Sequence, residues 1–437
     1  MISLKDRLLR DVLAVRRGGP SGPPESEDDA RGCGTAEVLG GVDHEQGFVV
    51  VERKYPPGHR HGDVTVADGL PPSDGAWPAL DLLARTSCRD RLLFVDLETT
   101  GLAGGAGTYA FLVGCAWFDG GSFRVRQYLM SNPMVERSML GAIAELAGDA
   151  GTVVTYNGKT FDLPLIETRY LYHRLETPFS GLPHVDMLHP ARRLWRAHAS
   201  GGDEYGMFDA GGCRLTTLER TQCGFEREGD VPGFEIPDRY FRYVRTGDAR
   251  PLEGVLEHNR LDLLSLALLT ARAAQLVEDG PPAVRTAREA VGLGRLYQLG
   301  GRIDEARRCF ALACGLDDSA PSVPLPAGGD GAELRADALS SFARLSRRAR
   351  FFDDAAAAWA CLLTLRGCPD AILREAAEAL AVHHEHRRRD PLSARGFALQ
   401  SLQLPLSASR REALHHRVAR LDRKLAASPA VTTASLF

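Results

Sequence analysis

The sequence predicts an α/β domain on a mixed sheet flanked by helices, followed by an all-α domain of helical repeats. Three observations carry this. Between residues 86 and 280, apolar runs of strand length alternate with segments of helical period. After Asp279-Gly280-Pro281-Pro282 the chain becomes rich in Ala, Leu and Arg, with almost no strand signal. Weak internal similarity appears in that last part. With 437 residues, more than one hydrophobic core is expected. We divide the chain into 1–85 (a helix, a linker and a small extension), the α/β domain at 86–280 and the helical domain at 281–437.

Leu4, Leu8, Leu9, Val12 and Leu13 fall on one side of a helix over 3–16, and residues 17–35, rich in Gly, Pro, Ser, Glu and Asp, read as a linker. Short apolar runs such as GFVVVERKY suggest strands within 36–85, packed on the α/β domain. RLLFVD (91–96), YAFLVGCAWF (109–118) and SFRVRQYLM (122–130) read as strands, with Gly120-Gly121 turning the last two into a hairpin. A helix is expected over 134–147, a strand at 152–157, a helix at 163–175 with Pro164 in its first turn, and a strand end leading into a helix at 183–195. Residues 200–213 read as a Gly-rich loop and 252–276 as one long helix.

In the helical part, LGRLYQLGGRIDEARRCFALA (293–313) places Ala306 four residues before Phe310. Residues 338–359 repeat this with Ala355 and Trp359, and 376–402 more weakly with Ala394 and Ala398. A small residue lets two helices approach, and the aromatic fills the gap between units. This pattern resembles the tetratricopeptide repeat; the insert at 315–333 breaks its period, and a generic helical bundle is the alternative.

Composition bounds the rest. The chain is 44% hydrophobic and 25% charged, as folded proteins are. No apolar run approaches ~18 residues, so no membrane span is expected. The first residues lack a secretory signal's apolar core and cleavage site, and Asp6 and Asp11 argue against a mitochondrial presequence. Nine scattered cysteines without a CxxC pair suit reduced thiols in a cytoplasm and give no zinc or disulfide framework. The net charge of −4 means that a polyanion would be gripped by local patches.

Three short segments carry chemistry. Asp96-Leu97-Glu98-Thr99-Thr100-Gly101 comes directly after a buried strand. Residues two apart on a strand point to one face, roughly 6–7 Å apart. Two such carboxylates repel unless a cation lies between them. A pair of Mg²⁺ or Mn²⁺ ions would answer this and activate water for phosphodiester cleavage. Gly101 and the glycines at 104, 105 and 107 leave little bulk nearby, so a substrate end could approach the backbone. The second segment, Tyr156-Asn157-Gly158-Lys159-Thr160-Phe161-Asp162, puts Asp162 after a strand and a tight turn, where it serves as a helix N-cap, a metal ligand or both. The third, Glu257-His258-Asn259-Arg260-Leu261-Asp262, lies on a partly buried helix. Four residues return to within about 40° of the start while five overshoot to about 140°, so His258, not Glu257, should share the Asp262 face. Such a pair also occurs as a plain surface pair.

In the order DxE, NGxxFD, HNxxD, the three segments resemble the DEDD superfamily of exonucleases, which have a ribonuclease-H-like fold. Within it the chain looks most like the YprB-type group of predicted exonucleases, related to proofreading domains of B-family polymerases. The resemblance covers about residues 90–275. It implies that Asp96, Glu98, Asp162 and Asp262 hold two divalent ions, Mg²⁺ or Mn²⁺, and that the chain is a 3′–5′ exonuclease acting on a single-stranded 3′ end of DNA or RNA. One branch of the superfamily has Tyr four residues before the last Asp, the other His five before it. Here His258 stands at the tyrosine spacing, and we expect it to orient the water or act as base, as an imidazole suits proton abstraction.

Thr99, Gly101, Asn157, Lys159 and Phe161 are the expected substrate contacts. Asp186 is either a neighbour that touches the site or a helix cap. Phosphate contacts are sought among Lys159, Arg169, Arg192, Arg193, Arg242, Arg245 and Arg260. Basic residues also concentrate at 344–350, 387–389 and 410–424, a surface for nucleic acid or a solvated face; helical repeats also present grooves for a protein partner. His59 and His61 lack a third metal ligand at suitable spacing. The competing readings are a non-catalytic nucleic-acid-binding or scaffolding module on the same fold, and an endonuclease.

Overall fold

The computed structural model describes residues 34–71, 78–101, 107–196, 213–316, 323–325 and 329–427. The helix expected at 3–16, most of the linker, Gly104, Gly105, the loop at 200–213 except Cys213, and residues 317–322 and 326–328 of the insert at 315–333 lie outside them. The chain divides into two compact units, Met1–Arg192 with Met207–Gln275, and Arg193–Gly206 with Leu276–Phe437.

The first unit is built on a seven-stranded mixed sheet in the order β1-β2-β7-β6-β5-β8-β9. Its strands are β1 (Val42–Asp43), β2 (Val49–Tyr55), β5 (Leu92–Thr99), β6 (Ala110–Asp119), β7 (Ser122–Leu129), β8 (Thr152–Thr155) and β9 (His184–Asp186); β3 (Arg60–His61) and β4 (Val64–Thr65) form a separate hairpin. β6 and β7 pair antiparallel through Gly120 and Gly121, whose φ values of 56° and 81° fit the turn that matches strand twist. β5 then pairs antiparallel with β6 and parallel with β8, and β8 parallel with β9. Parallel neighbours need crossovers, which the helices Glu136–Ala147 and Asp162–Tyr172 supply.

The segment before residue 86 is more closely built in than a packed extension. β2 pairs along its whole length with β7, from Val49 opposite Leu129 to Tyr55 opposite Phe123. Val49, Val51 and Tyr55 on one face are buried, and Val49 and Val51 enter the same core. Phe48, Phe111, Leu112, Val113, Leu129, Ile143, Ile166 and Leu252 have no measurable exposure. Each such side chain contributes roughly 1.5–3 kcal/mol.

In the second unit the helices Ala287–Leu299, Ile303–Cys314, Gly329–Arg348, Phe352–Thr364, Asp370–His383, Pro391–Leu402 and Ala408–Ala427 succeed one another, each packing on the next. Ala306, Phe310, Ala355, Trp359, Ala394 and Ala398 are all buried. Thr286 caps the first helix by accepting from the Glu289 amide (3.2 Å), and Asp390 caps the sixth by accepting from Ser393 (3.0 Å). Among the described residues no helix is long and apolar enough to cross a membrane.

Candidate active site

β5 emerges from the middle of the sheet, and its alternation turns Leu93, Val95 and Leu97 into the core and Asp96 and Glu98 to the other face. Asp96 stands opposite Gly114 of β6, which stands opposite Gln127 of β7. The helix Arg250–Asp279 lays Asn259 across this row. Gln127 Nε2 donates to Asn259 Oδ1 (2.8 Å), and Asn259 Nδ2 donates to Asp96 Oδ2 (2.8 Å) and to the Asp96 carbonyl (3.1 Å). Asn259 is fully buried. The glycine between makes this possible, since a Cβ on Gly114 would lie 2.3 Å from Asn259 Oδ1. Asp96 is therefore aimed by a relay from two strands away.

Asp162 opens the helix Asp162–Tyr172, with Phe161 at the cap position, and its carboxylate accepts hydrogen bonds from the backbone at Asp162 itself and at Leu97. The turn before it is held by Asp186, whose Oδ1 accepts from the amides of Asn157 (2.7 Å) and Leu188 (3.1 Å) and whose Oδ2 accepts from Lys159 (3.0 Å). Asp186 is buried and thus both caps the helix Leu188–Leu194 and shapes the loop that carries Asp162. Asn157 adopts a left-handed conformation there, φ 65°. Phe161 is 52% exposed and Lys159 is exposed, while Thr99 Oγ1 donates to the Gly101 carbonyl (3.1 Å).

His258 and Asp262 share a face of the long helix. His258 Nε2 lies 3.7 Å from Asp262 Oδ2 and 3.9 Å from Glu98 Oε1. Glu257 turns away and pairs with Arg260. His258 Nδ1 is 2.7 Å from Asp230 Oδ1. A carboxylate only accepts, so Nδ1 carries the proton and Nε2 is the nitrogen presented to the acidic cluster.

The carboxylates feel one another strongly. Burial, then the charges of Asp262, Glu98 and Asp162, push Asp96 well above the ordinary carboxylate range. Burial, then Asp262, Asp162 and Asp230, do the same to Glu98. Asp162 is pushed up to about 7, by burial first and then by Asp186 and Asp262, against backbone hydrogen bonds that favour its anion. Asp96, Glu98 and Asp162 thus resist joint ionisation, and together with Asp262 they are a set of hard oxygen donors that Mg²⁺ or Mn²⁺ fits. As the side chains stand, no three His, Cys, Asp or Glu among the described residues close around one point. Asp262 Oδ1 instead accepts from Arg227 Nη2.

Arg227, Asp230, Glu219, Asn259 and Gln127 were missed by sequence reasoning. Asn259 sat inside a motif without a role, and the run Glu226-Arg227-Glu228-Gly229-Asp230 looks like any charged loop. Two expected phosphate contacts are corrected. Arg169 is 1% exposed and spent on the buried Glu136, with Nε 2.6 Å and Nη2 2.5 Å from its oxygens, and lies over the rings of Tyr109 and Tyr172. Arg260 is engaged by Glu257 and the Tyr55 hydroxyl. Arg242, Arg245 and Arg192 are exposed. His61 is no ligand candidate: it is buried, bonded to Ser265 Oγ (2.7 Å), stacked on Phe225, and its burial pushes its pKa down to about 3. In the helical unit the basic run 410–424 is partly neutralised, because buried Glu385 accepts from Arg417 (2.8 Å), Arg420 (2.8 and 2.9 Å) and Lys424 (2.8 Å).

Residues 93–274 match the RNase_H_2 family, described as RNase_H superfamily. The matched stretch runs from β5 to the long helix and includes all four acidic residues. The chain is also 29% identical over 387 residues to a Bacillus subtilis (strain 168) protein described as "Uncharacterized protein YprB", covering 86% of each chain. The superfamily match suggests nuclease activity, a hydrolase acting on nucleic acid, and RNase H-like nucleases generally use divalent metals.

Proposed function

We propose that the chain is a divalent-metal-dependent 3′–5′ exonuclease of the DEDD type that shortens a single-stranded 3′ end of DNA or RNA. The observation that carries this reading is the meeting of Asp96, Glu98, Asp162 and Asp262 with a histidine whose Nε2 lies within 4 Å of two of them. Asp96, Glu98, Asp162 and Asp262 would hold two Mg²⁺ or Mn²⁺ ions. When bound, such ions lower the pKa of water and offset charge on the scissile phosphate. The Asn259 relay keeps one Asp96 oxygen aimed. Asp186 keeps the Asp162 turn in place. His258, with its Nδ1 proton held by Asp230, presents Nε2 to orient water or take its proton.

Phe161, exposed just before Asp162, offers a face for stacking of a terminal base, and Lys159 a phosphate contact. Thr99, Gly101 and Asn157 supply the turn backbones on either side of the acidic residues. The helical unit, whose Ala and aromatic positions keep the tetratricopeptide spacing, is assigned to nucleic acid or a protein partner.

The test is hydrolysis of end-labelled single-stranded DNA and RNA with Mn²⁺ or Mg²⁺. Stepwise shortening from the 3′ end, abolished by EDTA and by Asp96→Ala or Asp262→Ala in protein that still melts cooperatively, is expected. Internal cuts would mean an endonuclease, and no cleavage with any divalent ion would sink the proposal. Arg227 on Asp262 favours a second reading, a non-catalytic binding module. A Mn²⁺ titration separates the two, since such a module has no divalent site that depends on Asp162.

A further inference from the structure

Arg227 reaches the acidic cluster from outside all three motifs. Its Nε donates to Glu219 Oε2 (2.8 Å), and its Nη2 to Glu219 Oε1 and to Asp262 Oδ1. Its Nη1 donates to Asp230 Oδ2 (3.3 Å) and lies 3.4 Å from His258 Nδ1. The Arg227 side chain is 5% exposed and that of Glu219 1%. A guanidinium is planar with five N–H groups in fixed directions. The two-pronged bond to Glu219 sets that plane from behind, so the remaining donors meet Asp262 and Asp230 at set angles.

We infer that Arg227 is a positioning residue for the reaction proposed above. It ties down Oδ1 of Asp262, so that Oδ2 is the oxygen turned to His258, and through Asp230 it steadies the histidine. The inference rests on the metal-dependent nuclease reading. It has a particular consequence, because the arginine charge sits against a carboxylate that a cation would use. Orientation is gained at the expense of metal affinity. Neutralising the arginine therefore tightens cation binding while slowing turnover, two changes of opposite sense that damage to the fold does not produce together.

The experiment uses the full chain, with Mn²⁺ alone as probe in an electron paramagnetic resonance titration and a labelled single-stranded oligonucleotide for kcat. The double variant Glu219→Gln with Arg227→Gln avoids leaving Glu219 buried without a partner. It should bind Mn²⁺ severalfold more tightly and lose about 10–100-fold in kcat, the usual scale for a residue that orients a ligand. Arg227→Lys keeps the charge without the fork. Its Mn²⁺ affinity should stay close to that of the wild type, with a kcat between the other two. Unchanged or weaker Mn²⁺ binding by the double variant, unchanged kcat, or failure of both variants to fold overturns the inference. If the wild type neither binds Mn²⁺ nor cleaves, the nuclease reading itself fails; if it does both and the variants do not diverge as stated, only the inference fails.

Discussion

Replacing Asp162 by asparagine should stabilise the metal-free protein while abolishing its response to Mn²⁺. The ordinary pKa of 3.8 is pushed up to about 7 in the fold, by burial and then by the charges of Asp186 and Asp262. A pKa raised on folding means the native state holds its proton more tightly than the unfolded chain. Its stability contribution is therefore full below about pH 4 and is lost as pH rises through about 7. About three pKa units at ~1.36 kcal/mol each set an upper bound of ~4 kcal/mol. The cluster shares that cost and relaxes, so a gain of about 1–3 kcal/mol is expected for Asp162→Asn at about pH 8, shrinking toward nothing near pH 4. Asparagine keeps one oxygen for the backbone amides that favour Asp162. Urea unfolding in EDTA at several pH values measures the gain. Saturating Mn²⁺ should raise the wild type by RT ln(1 + [Mn²⁺]/Kd), about 2.7 kcal/mol at a hundredfold excess over Kd, and the variant by much less. An Asp162→Asn protein no more stable than wild type in EDTA at about pH 8, or equally stabilised by Mn²⁺, refutes the reasoning.

Four further outcomes are expected from particular contacts. Gly114→Ala forces the Asn259 carboxamide to move by about 1 Å from its 2.3 Å clash, which should cost ~1–3 kcal/mol of stability and lower activity more than a remote overpacking variant does; unchanged kcat would mean the Asp96 relay is dispensable. Asp186→Asn should weaken Mn²⁺ binding through the Asn157–Lys159 turn, since one oxygen cannot accept from both amides well, and calorimetric titration with Mn²⁺ checks this. Glu136→Gln leaves Arg169 buried beside a neutral partner, so a loss approaching ~3–5 kcal/mol in thermal unfolding is expected. Hydrogen bonds from Arg420 and then Lys424 hold Glu385 down to about pKa 2, so its contribution is present above the ordinary 4.5 and is lost as pH falls through about 2; Glu385→Gln should remove hydrogen-exchange protection from the helix Ala408–Ala427 at neutral pH.

Local periodicity determined much of this protein. Spacing two on a strand put Asp96 and Glu98 on one face, and spacing four on a helix put His258 beside Asp262 and turned Glu257 away. The change of texture after Pro282 marked the helical region. Those signals are legible because backbone geometry repeats every two or 3.6 residues whatever the rest of the chain does. Tertiary structure alone decided the partners. Asn259 meets Asp96 across 163 residues, Arg227 meets Asp262 across 35, and β2 joins the sheet through β7 instead of forming an accessory piece. It also withdrew Arg169 from the substrate side and spent part of the C-terminal basic run on Glu385. A charged residue looks the same in sequence whether solvent or a buried carboxylate answers it; which of the two it meets depends on contacts that carry no period.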